Sequence, residues 1–236
     1  MFHRDGPTLR ELAVQALSST ERGYDLLAPK FDHTPFRTPD VVLEAVAAFL
    51  AAGAPYGTAL DLCCGTGAGM RMLRPLCRDL VVGLDRSRGM LEVGRRRAGD
   101  PDLAWVRGEA LDVPFGAAFD LVVSFGAFGH VLERDQARLA RQVAAVLRPG
   151  GRFVFVTSEM PPPWSARRWL AHGFNAAMHV RNALVSPPFV MYYLTFLLPE
   201  ARRLLEGEGL TVTTRPLAPA GPLARLDLVS AERPGR

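Results

Sequence analysis

Between residues 58 and 158, short runs rich in β-branched and aromatic residues alternate with longer stretches whose apolar positions recur every three to four residues. That alternation predicts a mostly parallel sheet covered by helices. Residues 58–63, 80–85, 104–109, 119–124 and 152–157 read as strands, and 67–77, 87–98 and 133–147 as the helices between them. Arg148-Pro149-Gly150-Gly151 closes the last helix with a stop signal and a sharp turn. Upstream, Thr38-Pro39-Asp40 supplies a capping hydroxyl, a first-turn proline and an acid, which opens a helix to about residue 52. The residues before it form a helical arm. Downstream, 160–198 is rich in Pro, Trp, Phe and Tyr and is too long for a plain connection, as functional insertions are. A helix at 199–208 and two strand-like runs, 210–215 and 223–231, complete the chain, and the alternation in the second run suits a strand near a sheet edge. There is no internal repeat.

At 236 residues, with 48% hydrophobic and 22% charged, the chain has the size and apolar content of one domain that folds alone, 1–236, with 1–53 as a helical lid and 160–198 as a cap. The net charge is +4, and Lys30 is the only lysine, so the basic character is arginine's. Arg95, Arg96 and Arg97 fall at the end of a predicted helix, where cations complement the helix dipole; contact with nucleic acid or lipid is the other reading. Cys63, Cys64 and Cys77 are too few and too clustered for a disulfide framework, and no Cys/His spacing suits zinc. A reducing, cytoplasmic setting is expected. Charges at Arg4, Asp5, Arg10 and Glu11 interrupt any signal-peptide core, and the apolar tract 183–198 is broken by Pro187 and Pro188, so no transmembrane helix is expected.

The first predicted strand runs into Asp61-Leu62-Cys63-Cys64-Gly65-Thr66-Gly67-Ala68-Gly69-Met70, a glycine-rich turn at the carboxyl end of a strand. Ligands of α/β sheets bind there, although a tight turn without a ligand has the same look. Met70 stands where a dinucleotide fingerprint needs its third glycine, and no lysine follows as an NTPase phosphate loop requires. Twenty residues beyond Gly65, Asp85 ends the second strand at the position from which a carboxylate accepts both hydroxyls of an adenosine ribose. Its plainer role, capping the next helix, is already available to Ser87.

These motifs, ALDLCCGTG at 59–67, VVGLDRSRGML at 81–91, GEALDVPF at 108–115, FDLVVSFGAFGHV at 119–131 and VLRPGG at 146–151, stand in order at regular spacing. Through them the chain resembles the class I S-adenosylmethionine (SAM)-dependent methyltransferases, especially the group containing the ubiquinone and menaquinone enzymes. The resemblance implies an α/β fold, a Rossmann-like doubly wound seven-stranded sheet of order 3-2-1-4-5-7-6 with the last strand antiparallel. It implies SAM as cofactor, with S-adenosylhomocysteine as product. By position, Asp61, Cys63, Gly65, Thr66 and Gly67 would hold the methionine portion, Asp85 the ribose, and Arg86 and Met90 the flanks of the adenosine. Glu109, Ala110 and Leu111 would meet the adenine, and Ser124, Phe125 and Gly126 the floor near the sulfonium. Cys63 replaces the usual glycine, and Glu109 the shorter aspartate. The arm segment around Tyr24 resembles a lid over the methionine end, while Tyr24 and Phe31 could equally staple the arm to the core.

Methyl transfer from a sulfonium needs alignment more than chemistry from the protein, and a base only where the acceptor must lose a proton. His130, beside the fourth strand, is the candidate base; a packing histidine is the blander alternative. Phe128, Trp164, Tyr192 and Tyr193 are expected to wall a pocket for a small hydrophobic or aromatic acceptor. The same aromatics would also suit a homodimer interface or, beside Arg167, Arg168 and Arg181, weak contact with a membrane surface. No N/D-P-P-Y/F motif and no basic stripe points to nucleic acid. A non-catalytic SAM-binding partner or regulator is the competing function.

Overall fold

The computed structural model describes residues 4–218 and 220–235. A single sheet of seven strands organises them: β1 Ala59–Leu62, β2 Val81–Asp85, β3 Leu103–Arg107, β4 Phe119–Ser124, β5 Leu147–Thr157, β6 Thr211–Pro216 and β7 Asp227–Glu232. Their order is β3-β2-β1-β4-β5-β7-β6, with β7 antiparallel to both neighbours and the first five strands parallel. The expected topology is the observed one.

Strand side chains alternate between two cores. Leu60, Val82, Val122, Phe153 and Phe155 face one layer, built on α6 (Glu133–Val146) and α8 (Leu198–Gly207) through Leu139, Val143, Ala201 and Leu205. Ala59, Val81, Leu121 and Val154 face the other, built on α3 (Asp40–Ala51), α4 (Ala68–Leu73) and α5 (Arg88–Ala98) through Val46, Leu50, Met70, Leu73 and Leu91. A period of two in the strands thus feeds two helical layers, which is why the central strands read as nearly continuous apolar runs.

Four local readings change. Thr38 does not cap the helix it precedes: Pro39 holds the cap position of α3, and no side chain bonds its first turn. The helix expected over 67–77 ends at Leu73, because Pro75 has no N–H to continue the ladder and the chain tightens into a 3-10 turn, Arg74–Leu76. Residues 148–151 do not separate helix from strand: β5 starts at Leu147, and the Pro-Gly-Gly forms an irregularity between the Phe119–Leu147 and Leu121–Arg152 pairs. The strand expected over 223–231 starts later, at Asp227, after a short 3-10 turn. It is no edge strand but lies between β5 and β6, its middle residues buried on both faces; the edge is β6, mostly exposed and ended by Pro216.

The N-terminal arm consists of α1 (Leu9–Leu17), held by a reciprocal Thr8/Glu11 capping box, α2 (Thr20–Leu27), capped by Ser19, and a 3-10 turn, Ala28–His33. The insertion after β5 carries one long helix, α7 (Ala166–Leu184). Among the described residues no helix is long and apolar enough to cross a membrane.

Candidate active site

A cavity of about 180 Å3 opens at the carboxyl ends of β1, β2 and β4, under the arm. A water needs roughly a tenth of that or less, so the space is of ligand size. Its floor is the turn after β1. Cys63, Gly65 and Gly67 all take positive φ, at 63, 53 and 81°. Glycine adopts this freely, while Cys63 holds it against its own Cβ at a cost of about 1 kcal/mol or more. Gly67 N–H donates to the Cys64 carbonyl at 2.8 Å and closes the turn.

Asp61 and Asp85 stand at neighbouring strand tips facing this space. Asp85 is tied in on both oxygens: Oδ2 accepts from Gly65 N at 2.9 Å and Oδ1 from Ser87 N at 2.8 Å. One carboxylate thereby fixes the glycine turn and the start of α5, while Ser87 Oγ caps that helix by accepting from Met90 N. Burial pushes Asp85 above the usual carboxylate range, and those two amide bonds offset part of the effect. Asp61 is more enclosed; burial, then the Asp85 charge, pushes its carboxyl up to about 7. Among the described residues neither acid is in an ion pair. The Cys63 and Cys64 thiols are pushed up by the same burial and stay protonated.

The arm is bolted over the cavity by polar contacts. Asp25 Oδ1 accepts from Ser87 Oγ at 2.6 Å and from Gly89 N at 2.8 Å. Gly89 must be glycine for this approach, since a Cβ there would lie 2.9 Å from the Asp25 Cα. Thr66 Oγ1 donates to Asp32 at 2.6 Å, and Arg97 pairs with the other oxygen of Asp32. Of the three consecutive arginines read as a solvated helix end, one therefore anchors the arm. At the mouth, Arg86 pairs with Glu109 at 3.2 Å and Glu21 at 3.6 Å, and Arg107 with Glu21 at 2.7 Å; these half-exposed pairs orient side chains and add little stability.

Tyr24 and His130 meet across the cavity wall. His130 Nδ1 lies 2.6 Å from the Val190 carbonyl, which can only accept, so Nδ1 carries the proton and Nε2 accepts from the Tyr24 hydroxyl at 2.7 Å. Burial lowers the His130 pKa and raises that of Tyr24, keeping both neutral.

The cavity brings together Tyr24, Asp61, Cys63, Gly65, Thr66, Asp85, Arg86, Met90, Glu109, Ala110, Leu111, Phe125, Gly126 and His130, all expected from the sequence. Six expected residues lie elsewhere. Gly67 turns away from it, and a Cβ there would strike the Trp105 ring at 2.3 Å, so its role is packing as well as turning. Ser124 is buried and donates to the Leu62 carbonyl at 2.8 Å. Phe128 points into the core, stacked on Phe196 with centroids 4.7 Å apart. Trp164 is 85% exposed. Tyr192 packs on His179 and bonds Asn182, and Tyr193 packs edge-on against Phe174. Tyr192 and Tyr193 thus brace α7 instead of walling the cavity. That wall comes from Phe36, Thr38, Leu43 and Val131, with Thr20 and Arg37 nearby. Thr38 and its neighbours read as a helix start, and nothing in their composition marked the preceding loop as folding back over the strand tips. Among the described residues no cluster of His, Cys, Asp and Glu could hold a metal.

Strand order, glycine turn and paired carboxylates together define a Rossmann-like nucleoside-binding protein. A family profile described as a methyltransferase domain matches residues 59–151. The chain is 42% identical over 112 residues to a demethylmenaquinone methyltransferase of Clavibacter sepedonicus, covering 46% of this chain and 44% of that protein. It is 30% identical over 159 residues to a 2-phytyl-1,4-naphthoquinone methyltransferase of Synechococcus elongatus, covering 64% of this chain and 68% of that one. A solved SAM-dependent methyltransferase from Mesorhizobium loti superposes with a TM-score of 0.59 at 25% identity, over 81% of this chain and all of its own. The chain belongs to the class I SAM-dependent methyltransferases. It spans about half the length of the curated relatives it matches first.

Proposed function

We propose that the chain transfers the methyl group of SAM to oxygen, nitrogen or carbon of a small hydrophobic or aromatic acceptor, a quinone-type ring being the acceptor its named relatives suggest. The observation that carries this reading is the pair Asp61, buried, and Asp85, half-buried, two carboxylates on one cavity without an ion-pair partner among the described residues. Burying such groups is costly unless a ligand supplies donors. Asp61 suits an ammonium. Each Asp85 oxygen takes one backbone N–H and keeps a lone pair for a ribose hydroxyl. The residues present therefore fit SAM, with Cys63, Gly65, Thr66 and Gly126 toward its methionine portion and Met90, Arg86, Glu109, Ala110 and Leu111 toward its adenosine.

SAM, when bound, supplies a methyl group already activated on a sulfonium. The chain's own part is alignment and exclusion of water, which together lower such barriers by about 7 to 11 kcal/mol. Asp25 and Asp32 hold the arm closed for that purpose, and Phe36, Leu43 and Val131 keep the acceptor end apolar. Where the acceptor is a hydroxyl, its O–H takes the place of Tyr24 Oη at His130 Nε2. His130 Nε2 would then take that proton as the acceptor oxygen gains the methyl group and the sulfonium sulfur departs as a neutral thioether, while the imidazolium would keep its Nδ1–H on Val190. An acceptor that loses no proton needs no such step.

Labelled SAM offered with phenols, amines and quinone precursors tests the reading. Label should enter one class and be lost with Asp85→Ala. A chain that binds SAM and labels none of them is a binding protein, and the proposal falls.

A further inference from the structure

The inner side of α7 is occupied. Met178 is buried, Phe174 meets Tyr193, and Asn175 and Asn182 bond the chain at 189–193 that leads back to His130. Its outer side is bare: Ala166, Leu170, Gly173, Ala177, Val180 and Leu184 recur every three to four residues along one stripe, and all are exposed, Leu170 at 74% and Leu184 at 79%. Nothing in the chain's own packing requires the stripe's shape, since a Cβ on Gly173 would meet no atom within 4 Å. Trp164 and Trp169 stand exposed at the N-terminal end of this helix. At the other end, Arg181 donates to the carbonyls of Ala16 and Ser18, which sets the exposed Leu17 of α1 beside α7.

Charge decides what covers this face. Between Glu159 and Glu200 the sequence contains no aspartate or glutamate. Arg167, Arg168 and Arg181 lie within that run, and among the described residues none is in an ion pair; Arg168 and Arg181 donate to carbonyls and to an amide. A second copy would bring Arg167 and Arg168 against their own like with no acid of the run to offset them, whereas anionic headgroups match these two while acyl chains receive the stripe. Arg181 is already taken up by the arm and its own turn. Exposed tryptophans at the margin of an apolar face suit the headgroup level.

We infer that the outer face of α7, with Trp164, Trp169 and the end of α1, docks on an anionic lipid bilayer. The inference deepens the proposed function and rests on it for its purpose, because an acceptor dissolved in lipid would meet the protein on the element whose continuation holds His130. Flotation tests it with the full chain and two kinds of vesicle, phosphatidylglycerol-rich and pure phosphatidylcholine. The chain should float with the first, release with salt and largely ignore the second. L170E combined with V180E should weaken flotation about ten-fold or more, because two apolar anchors are lost. Both sites are exposed, so thermal unfolding and SAM titration should be unchanged. No flotation, flotation indifferent to lipid charge, or flotation that survives both substitutions overturns the inference. So does a concentration-dependent dimer in sedimentation that the double variant dissolves, since the face would then belong to a second copy. Because flotation needs no turnover, failure of every acceptor would count against the methyl-transfer reading and leave this one standing.

Discussion

Tyr24 and His130 are joined at 2.7 Å, with the imidazole's other nitrogen fixed on the Val190 carbonyl. The arm and the end of the insertion therefore meet on one ring. His130 is held neutral with its lone pair aimed at the arm, and burial keeps its pKa below the ordinary histidine value. For a hydroxyl acceptor, turnover should stay level down to about pH 6.5 and fall only below it, where the ring gains a proton. His130→Ala should slow that transfer by about 100-fold or more and remove the acid limb, with SAM titration unaltered. Unchanged turnover would take His130 out of the reaction.

Asp61 makes ligand-free stability depend on pH in an unusual direction. Burial pushes its carboxyl up to about 7 in the folded chain, from an ordinary 3.8. The fold binds the extra proton between those values, so stability is highest on the acid side and declines as pH rises toward neutrality. The decline should total roughly 3 to 5 kcal/mol. Asp61→Asn should flatten it in denaturant titrations across that range while weakening SAM binding. The buried His130 adds a slope of the opposite sign, so the difference between wild type and Asp61→Asn is the test, and a difference that stays flat over the range would contradict the burial argument.

Asp85→Ala removes the acceptor shared by Gly65 and Ser87 along with any ribose contact. SAM affinity should fall by about 1 to 3 kcal/mol, the loss expected for a charge-assisted hydrogen bond. Calorimetry reading an unchanged affinity would refute the assignment.

Gly67 carries two demands at once, a φ of 81° and a Trp105 ring lying where its Cβ would be. Gly67→Ala should destabilise the chain by roughly 2 to 4 kcal/mol, strain and overpacking together. An unfolding midpoint within error of wild type would mean the turn and ring can both move.

Asp25→Ala should loosen the arm without unfolding the sheet. Two hydrogen bonds are lost, from Ser87 Oγ and Gly89 N. Limited proteolysis should cut the arm sooner, and SAM should leave faster, by about ten-fold for roughly 1.4 kcal/mol of lost closure. Equal digestion rates would show that apolar packing, not these bolts, holds the arm.

The sheet order and the glycine turn were legible because each rests on a short-range signal: a strand run, a positive-φ turn, a carboxylate one strand on. Asp85 is one such residue, and Ser87 takes the cap as its position suggested. The arm's contacts were not legible, because Asp25 and Asp32 sit in no motif and gain meaning only when the fold brings them to Ser87 and Thr66. Phe128, Tyr192 and Tyr193 show the reverse failure. Aromatic composition announces burial or contact but carries no direction, and Phe128 spends its ring on Phe155 and Phe196. Phe36 and Leu43 were invisible for a third reason: a loop's path over a strand tip depends on the distant elements that pin it, here Asp32 and Arg97.

The acids that rim the crevice also sort its visitors. Asp61, Asp85, Glu21 and Glu109 line it against two arginines, Arg37 and Arg86, each already paired with a carboxylate. Glu21 and Glu109 are themselves paired with Arg86 and Arg107, so the unpaired charge is that of Asp85 and, once it ionises, Asp61, and both would attract a cation and repel a phosphate. On the proposed reading, such a crevice would favour an adenosine that carries a positive group over one that carries phosphates, by charge before contact.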